Sequence, residues 1–386
     1  MRMGVIGYGN RIRWMVSQMT AVDPDCRVAA IADPDAERIR AELGEDVAGG
    51  IRFFRSADEM LAEMQLDGVA IGTRCSLHTE MALKVFATGL PLFLEKPIAT
   101  TYEDLGRLRA GYAQSASRVV VSFPLRFTPL LQLAKEIVAS GKLGTVEHVQ
   151  AVNNVPYGGV YYHHWYRDER ETGGMFLQKA THDFDYLNAL IGQKPVQVGA
   201  MTSKQVFRGD KPAGLRCADC EENRTCAESA VRTDVFPEPP QGEFCCFAED
   251  TGNEDSGSAL IRYESGMHLT YSHNFFARRG AAARGARLLG YKGTLEFDWY
   301  TAQAKVHMHH TDRVETYQLS LGDDGHGGGD RVLARNFVEV MKGIAQPESA
   351  LETGMLSALL CLKARQSAQT AAFQSIGWNA KVGALM

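Results

Sequence analysis

Lys96 is the residue of this chain best placed to do chemistry. It sits in Glu95-Lys96-Pro97, directly after the apolar run Leu90-Pro91-Leu92-Phe93-Leu94, which reads as a short buried strand. A lysine at the carboxyl end of a strand, downstream of a glycine-rich turn, stands where α/β proteins place their ligands. A lysine buried there sheds its proton near neutral pH and serves as a general base.

The glycine-rich turn is Gly7-Tyr8-Gly9, directly after the first predicted strand. Its spacing begins a G-x-G-x-x-G fingerprint. The first glycine permits the tight turn, and the second lets a pyrophosphate approach the backbone at a helix amino terminus. Tyr8, Asn10 and Arg11 complete this cofactor-facing turn. The third fingerprint position is Ile12, a departure expected to hold helix and strand slightly farther apart. Asp33 ends the second strand, where its carboxylate accepts hydrogen bonds from an adenosine ribose and repels a 2′-phosphate. NAD is therefore expected over NADP, unless Arg11 or Arg38 pairs with a phosphate. Thr73 and His78 flank the loop after the fourth strand, on the same crevice. For His78, cofactor contact and plain packing are equal readings.

A second group surrounds His182 in Leu177-Gln178-Lys179-Ala180-Thr181-His182-Asp183-Phe184-Asp185. On an ideal helix Gln178, His182 and Asp185 share one face. Lys179 adds a cation to this region, or else pairs with Asp183 one turn on. Tyr157, Tyr161, His163, His164, Trp165 and Arg167 form a polar-aromatic loop upstream, suited to sugar rings and acidic groups or simply packed at a surface. Arg126 follows the last strand of the first half, and His326 sits in the glycine-rich Asp324–Asp330 stretch; both are candidate substrate ligands.

Cys217-x-x-Cys220 and Cys226 put three thiols in ten residues, with Cys246 or Cys245 as a fourth. Four thiolates suit a structural zinc; free buried thiols or a disulfide are the alternatives.

The elements that must position these groups follow from periodicity. Residues 3–122 alternate apolar runs (Met3–Gly7, Arg27–Ala32, Ile51–Phe54, Gly68–Gly72, Leu92–Leu94, Arg118–Ser122) with amphipathic stretches such as Asp35–Leu43 and Tyr102–Tyr112. That alternation predicts βαβ units and a parallel sheet. From about Pro195 the chain is strand-rich with turn residues between strands, as in an open, mostly antiparallel sheet of an α+β domain. The expected fold class is α/β, with a parallel-sheet, NAD-binding domain over 1–124 and a substrate-binding α+β domain over 125–386. An insertion loop is expected at about 208–256, and a C-terminal helix is expected to pack back on the first domain. The length of 386 residues exceeds one ordinary core. A net charge of −5 without a basic block speaks against nucleic acid. No apolar run reaches spanning length, and the amino terminus lacks signal-peptide architecture, so a cytoplasmic protein is expected.

Gly7-Tyr8-Gly9, Asp33-Pro34-Asp35, Thr73 with His78, Glu95-Lys96-Pro97, Gly173-Gly174 with His182, and Gly290-Tyr291-Lys292-Gly293 together resemble the glucose–fructose oxidoreductase / inositol dehydrogenase / MocA family. The resemblance implies a Rossmann domain and a sheet that often mediates oligomerisation, here a dimer or tetramer. It also implies sugars, cyclic polyols or their derivatives as substrates. Lys96 then looks like the catalytic lysine, touching substrate hydroxyl and nicotinamide ribose, with Glu95 structural or close to the cofactor and His182 as its partner. Inositol-dehydrogenase-like members carry an aspartate four residues before this histidine, where this chain has Gln178. The leading expectation is an NAD-dependent dehydrogenase. The alternatives are a redox-neutral glycosidase or eliminase working through a transient keto-sugar, and a non-catalytic sugar or nucleotide sensor.

Overall fold

The computed structural model describes residues 1–232, 242–320 and 326–377. Part of the expected insertion, 233–241, and Asp324 and Gly325 of the glycine-rich stretch lie outside the described residues.

Counting described residues, the chain forms two compact units, one of 1–132 with 326–359, the other of 133–320 with 360–377. The first unit carries a six-stranded parallel sheet in the order β3-β2-β1-β4-β5-β6. Its strands are β1 (Arg2–Ile6), β2 (Arg27–Ala32), β3 (Arg52–Phe54), β4 (Gly68–Ile71), β5 (Leu92–Leu94) and β6 (Val119–Val121). The helices between them are α1 (Asn10–Val22), α2 (Ala36–Leu43), α3 (Glu45–Ala48), α4 (Ala57–Glu63), α5 (His78–Phe86) and α6 (Tyr102–Tyr112). Strands β4, β5 and β6 are buried throughout, as expected where helices cover both faces of a sheet. Strand order reverses between β1 and β4, which makes a crevice at their carboxyl ends. The loops carrying Gly7, Thr73 and Lys96 all leave β1, β4 and β5 at that edge.

The second unit is built on a nine-stranded sheet in the order β14-β13-β12-β11-β7-β10-β9-β8-β15. After α7 (Pro129–Ala139) come β7 (Val146–Asn154), α8 (Val160–His163), α9 (Glu169–Thr172), α10 (Thr181–Ile191), β8 (Pro195–Ser203) and β9 (Ser256–Tyr263). Then follow β10 (His268–Asn274), β11 (Ala283–Gly290), β12 (Gly293–Asp298), β13 (Gln303–Met308) and β14 (Val314–Gln318); after α11 (Gly329–Met341), which belongs to the first unit, and α12 (Leu351–Thr370), whose residues divide between the two, comes β15 (Gln374–Ser375). All pairings are antiparallel except β7 with β10, which run parallel. Burial alternates along β9 and β10, so one face is covered. On that face Phe184 of α10 meets Tyr271 edge-on at 5.1 Å, and Phe176 lies 4.9 Å from His273.

Two buried histidines of this unit set its acid limit. Burial pushes the imidazoles of His273 and His163 down to about 4. Both are held neutral when folded but take up protons below about 6.5 when unfolded. The unfolded chain thus binds more protons between these values, and stability falls as pH drops from about 6.5 to 4. Each histidine contributes up to about 3 kcal/mol to that loss. The urea midpoint of this unit is expected to fall steeply over that range; a flat profile would contradict the burial.

Candidate active site

The glycine turn is built for close backbone approach. Gly7 has φ +75°, and a Cβ there would lie 2.8 Å from the backbone nitrogen of Thr73, so both conformation and space demand glycine. Around Gly9 no atom lies within 4 Å of where a Cβ would stand, and no side chain caps the start of α1. The start of this 13-residue helix is thus uncapped by any side chain and has open space beside Gly9, the arrangement a pyrophosphate requires. Ile12 does not push helix and strand apart as the sequence led us to expect. Its side chain lies 2.4 Å from where a Cβ of Gly72 would stand, so the glycine that allows close packing sits on the loop after β4 instead.

Asp33 ends β2 with one carboxylate oxygen accepting from the Tyr8 amide at 2.9 Å and the other from the Asp35 amide at 2.9 Å. Each oxygen keeps a lone pair for a ribose hydroxyl. The two arginines considered for a phosphate are engaged elsewhere. Arg38 pairs with Glu42 and Asp35 on α2 and its cap. Arg11 forks onto Asp330 at 2.7 and 2.8 Å, donates through Nε to Glu95 at 3.0 Å, and reaches Ser122 at 3.2 Å. Asp330 also accepts from Trp14 Nε1 at 2.9 Å and lies 3.1 Å from His326 Nδ1. Burial alone would raise the Asp330 carboxyl, but Arg11 and His326 outweigh it and hold it well below the usual range. The expected substrate ligand His326 is thereby tied into the base of the Glu95 turn.

That turn presents Lys96. Glu95 is buried and also accepts from Ser122 Oγ at 2.9 Å. The Lys96–Pro97 peptide is cis. His78, fully buried, places Nδ1 2.7 Å from the Pro97 carbonyl and Nε2 3.2 Å from the Thr73 carbonyl. Burial lowers its pKa, so the neutral ring donates to one carbonyl, Pro97 being the closer. Of the two readings of His78, the structure favours a brace between the β4 and β5 loops. Lys96 itself is half-buried between fully buried neighbours, so the burial that was to neutralise it is incomplete.

In the second unit His182 is buried in the first turn of α10. The preceding Phe176–Ala180 is a π-helical turn, so the face expected to join Gln178 to His182 at an ideal helical step is not set by that step. Glu254 caps this segment, accepting from the Met175 and Phe176 amides at 2.9 and 3.3 Å. Lys179 does not pair with Asp183. Its Nζ donates to Tyr157 Oη at 2.5 Å and Tyr161 Oη at 3.3 Å. Asp183 is fully buried and satisfied: Arg284 donates twice to one oxygen at 2.7 and 2.9 Å, while Asn153 and Tyr271 donate to the other at 2.7 Å each. This cluster pins α10 to β7, β10 and β11, and sequence spacing gave no sign of it; the one local signal is an arginine set among Ala and Gly in β11.

The remaining expected ligands are placed as follows. Arg126 is buried and donates to the Glu348 carbonyl at 3.3 Å. Arg167 is buried, pairs with Asp250 at 2.5 Å and lies 4.9 Å from the Phe244 ring, holding the insertion to the body. Trp165 stacks on Tyr166 at 3.9 Å. Cys217, Cys220, Cys226, Cys245 and Cys246 form no disulfide, and no group of three or more His, Cys, Asp or Glu among the described residues is placed to hold a metal ion. Cys246 packs into an apolar cluster with Tyr162, Phe207 and Phe275. Among the described residues no helix is long and apolar enough to cross a membrane.

Comparison with known proteins matches this picture. Residues 1–123 match the profile of the oxidoreductase family with an NAD-binding Rossmann fold, and residues 131–296 match the GFO/IDH/MocA C-terminal domain. The chain is 26% identical to the "Putative oxidoreductase YteT" of Bacillus subtilis, over 79% of this chain and 80% of that one. It is 26% identical to an inositol 2-dehydrogenase of Rhizobium meliloti, over 55% of this chain and 62% of that one. Its fold matches the WlbA dehydrogenase of Bordetella pertussis, solved with NADH and UDP-GlcNAcA, with a TM-score of 0.74 at 21% identity over 98% of this chain and 99% of that one. With both halves matched to one family, the chain belongs to the Gfo/Idh/MocA oxidoreductases and carries their NAD-binding Rossmann fold.

Proposed function

We propose that this protein is an NAD-dependent dehydrogenase that oxidises a secondary alcohol of a sugar, cyclitol or sugar derivative. The observation that carries the reading is the presentation of Lys96. It is half-exposed at the carboxyl end of β5, braced through Pro97 and Glu95, in the same unit as the open glycine turn and Asp33. The substrate class is supported by relatives named for inositol, and by WlbA with its nucleotide sugar.

When bound, nicotinamide accepts the carbinol hydrogen with its electron pair. The chain's own residues supply the rest. The amides from Gly9 onward hold the pyrophosphate. Asp33 holds the adenosine ribose, and with Arg11 and Arg38 engaged it favours NAD over NADP. Lys96 grips the reacting hydroxyl as the catalytic lysine; within the second unit, taken by itself, His182 and Gln178 are the candidate substrate residues. Gln178 also favours a second reading, redox-neutral glycoside cleavage, because an amide cannot relay a proton as a carboxylate does.

The test incubates the protein with NAD or NADP and a panel of sugars, cyclitols, sugar acids and glycosides, reading absorbance at 340 nm and product release together. Net NADH with one substrate class, and weaker use of NADP, is the expected result. Glycoside cleavage without reduced cofactor would replace it with the second reading.

A further inference from the structure

His326 makes a contact that the fold does not need. Its Nδ1 lies 3.1 Å from one carboxylate oxygen of Asp330. That carboxylate is buried and already accepts from Arg11 at 2.7 and 2.8 Å and from Trp14 Nε1 at 2.9 Å. These bonds satisfy it without the imidazole. The histidine itself is held at φ +49°, in the left-handed region, followed by Gly327 at +60° and Gly328 at +89°. Another glycine would stand there at lower cost, and backbone strain of this kind collects at active sites. The His326 side chain is 30% exposed, whereas Asp330 beneath it is 1% exposed.

The place is that of the proposed chemistry, and it needs no group of the second unit. Gly329 packs against the turn after β6, where a Cβ would lie 2.1 Å from the Pro124 carbonyl oxygen. Arg11, in the first turn of α1, joins Asp330 to Glu95, which directly precedes Lys96. His326, Asp330, Arg11, Glu95 and Lys96 thus belong to one unit and gather at the carboxyl edge of its sheet.

A carboxylate bonded to one nitrogen of an imidazole has two effects. It accepts the Nδ1 proton, which puts the lone pair of the neutral ring on Nε2. It also stabilises the cation formed when Nε2 takes up a proton. The charges of the network favour that step. One guanidinium, Arg11, lies between two buried carboxylates, Asp330 and Glu95, so a proton on His326 supplies a second positive charge. The turn Pro124–Phe127, packed against this loop, adds Arg126, whose guanidinium donates to the Glu348 carbonyl.

We propose that His326 is the general base for the substrate hydroxyl, oriented by Asp330 as its positioning residue, while Lys96 holds that hydroxyl rather than taking its proton. The proposal rests on the dehydrogenase reading and refines it. In the oxidising direction the hydroxyl proton passes to His326 Nε2. The electron pair of the broken O–H bond becomes the second C–O bond. The carbinol hydrogen leaves with its two electrons to oxidised nicotinamide. The products are a ketone, reduced nicotinamide and an imidazolium, which returns its proton to water.

His326→Gly tests this on the full chain, with the substrate found in the panel. Glycine suits the left-handed backbone, so the variant keeps the fold. Its kcat/KM should fall roughly 10²–10³-fold, with NAD affinity unchanged. The ascending limb of its pH profile should flatten, because the group that must lose a proton is gone. Added imidazole should restore part of the rate in His326→Gly and none in Lys96→Ala. Asp330→Asn should displace the wild-type limb to lower pH, because the imidazolium loses its anion. Undiminished kcat/KM in His326→Gly overturns the proposal and leaves the dehydrogenase reading intact. A loss that keeps the wild-type limb and does not respond to imidazole also overturns it, because His326 is then structural. No reduced cofactor from the wild type with any substrate removes the dehydrogenase reading and the proposal with it.

Discussion

Lys96→Ala is expected to lower kcat by roughly 10³-fold while leaving NAD affinity within a factor of a few. The asymmetry follows from where binding and chemistry are placed. On the proposed reading the dinucleotide is held by the turn after β1 and by Asp33, whose geometry is set by the Tyr8 and Asp35 amides and does not involve Lys96. The lysine side chain emerges from a turn fixed at both flanks, by Arg11 on Glu95 and by His78 on Pro97. On the proposed reading, truncating it removes the side chain that grips the reacting hydroxyl without loosening that turn. Intrinsic fluorescence offers a convenient check, because Trp14 on α1 donates to Asp330 of the same network. Titrating wild type and variant with NAD while assaying turnover separates the two effects. Unchanged turnover in Lys96→Ala would remove the lysine from the mechanism.

Asp183→Ala is expected to destabilise the second unit by about 3–5 kcal/mol. The carboxylate is completely buried, and four hydrogen bonds from three side chains end on it. Removing it strands the Arg284 guanidinium, which is held charged against desolvation chiefly by Asp183. The cost is therefore mainly that of an unpaired buried cation, not of one lost ion pair. It follows that Asp183→Leu combined with Arg284→Met should recover much of the loss, whereas Asp183→Ala alone should not. Urea unfolding of the three variants at pH 7 measures this directly. A shift below about 1 kcal/mol for Asp183→Ala would mean that the cluster does not anchor α10.

The fold was legible because its elements are strongly patterned. The run Leu92–Leu94 and the stretch Arg27–Ala32 are strands with the bounds that apolar periodicity assigns them, and Ala57–Glu63 and Tyr102–Tyr112 are helices likewise. Each of these is decided by local alternation and by caps such as Ser56 and Thr101, whose hydroxyls accept from the amides of Glu59 and Asp104. What escaped the sequence depends on pairs far apart in the chain. Arg11 meets Asp330 across 319 residues, and Arg284 meets Asp183 across 101. No spacing rule announces such pairs, so the spacing left open a phosphate for Arg11 and a pairing with Asp183 for Lys179. The parallel pairing of β7 with β10 is hidden for the same reason, since each strand alone alternates like an antiparallel one. The π-helical turn at Phe176–Ala180 broke the one argument that relied on an ideal helical step. Ile12 was read by its own type, whereas the contact it makes is decided by Gly72 on the other side.

Under the proposed function, a carbinol hydrogen of a sugar or cyclitol passes directly to nicotinamide bound to the Rossmann unit. The most direct measurement uses the reactive panel substrate carrying deuterium at the carbon to be oxidised, with NAD in excess and the reduced cofactor analysed by mass. One deuterium in each reduced nicotinamide and one ketone per reduced cofactor are expected. Reduced cofactor without deuterium, or substrate consumed with none reduced, would contradict it.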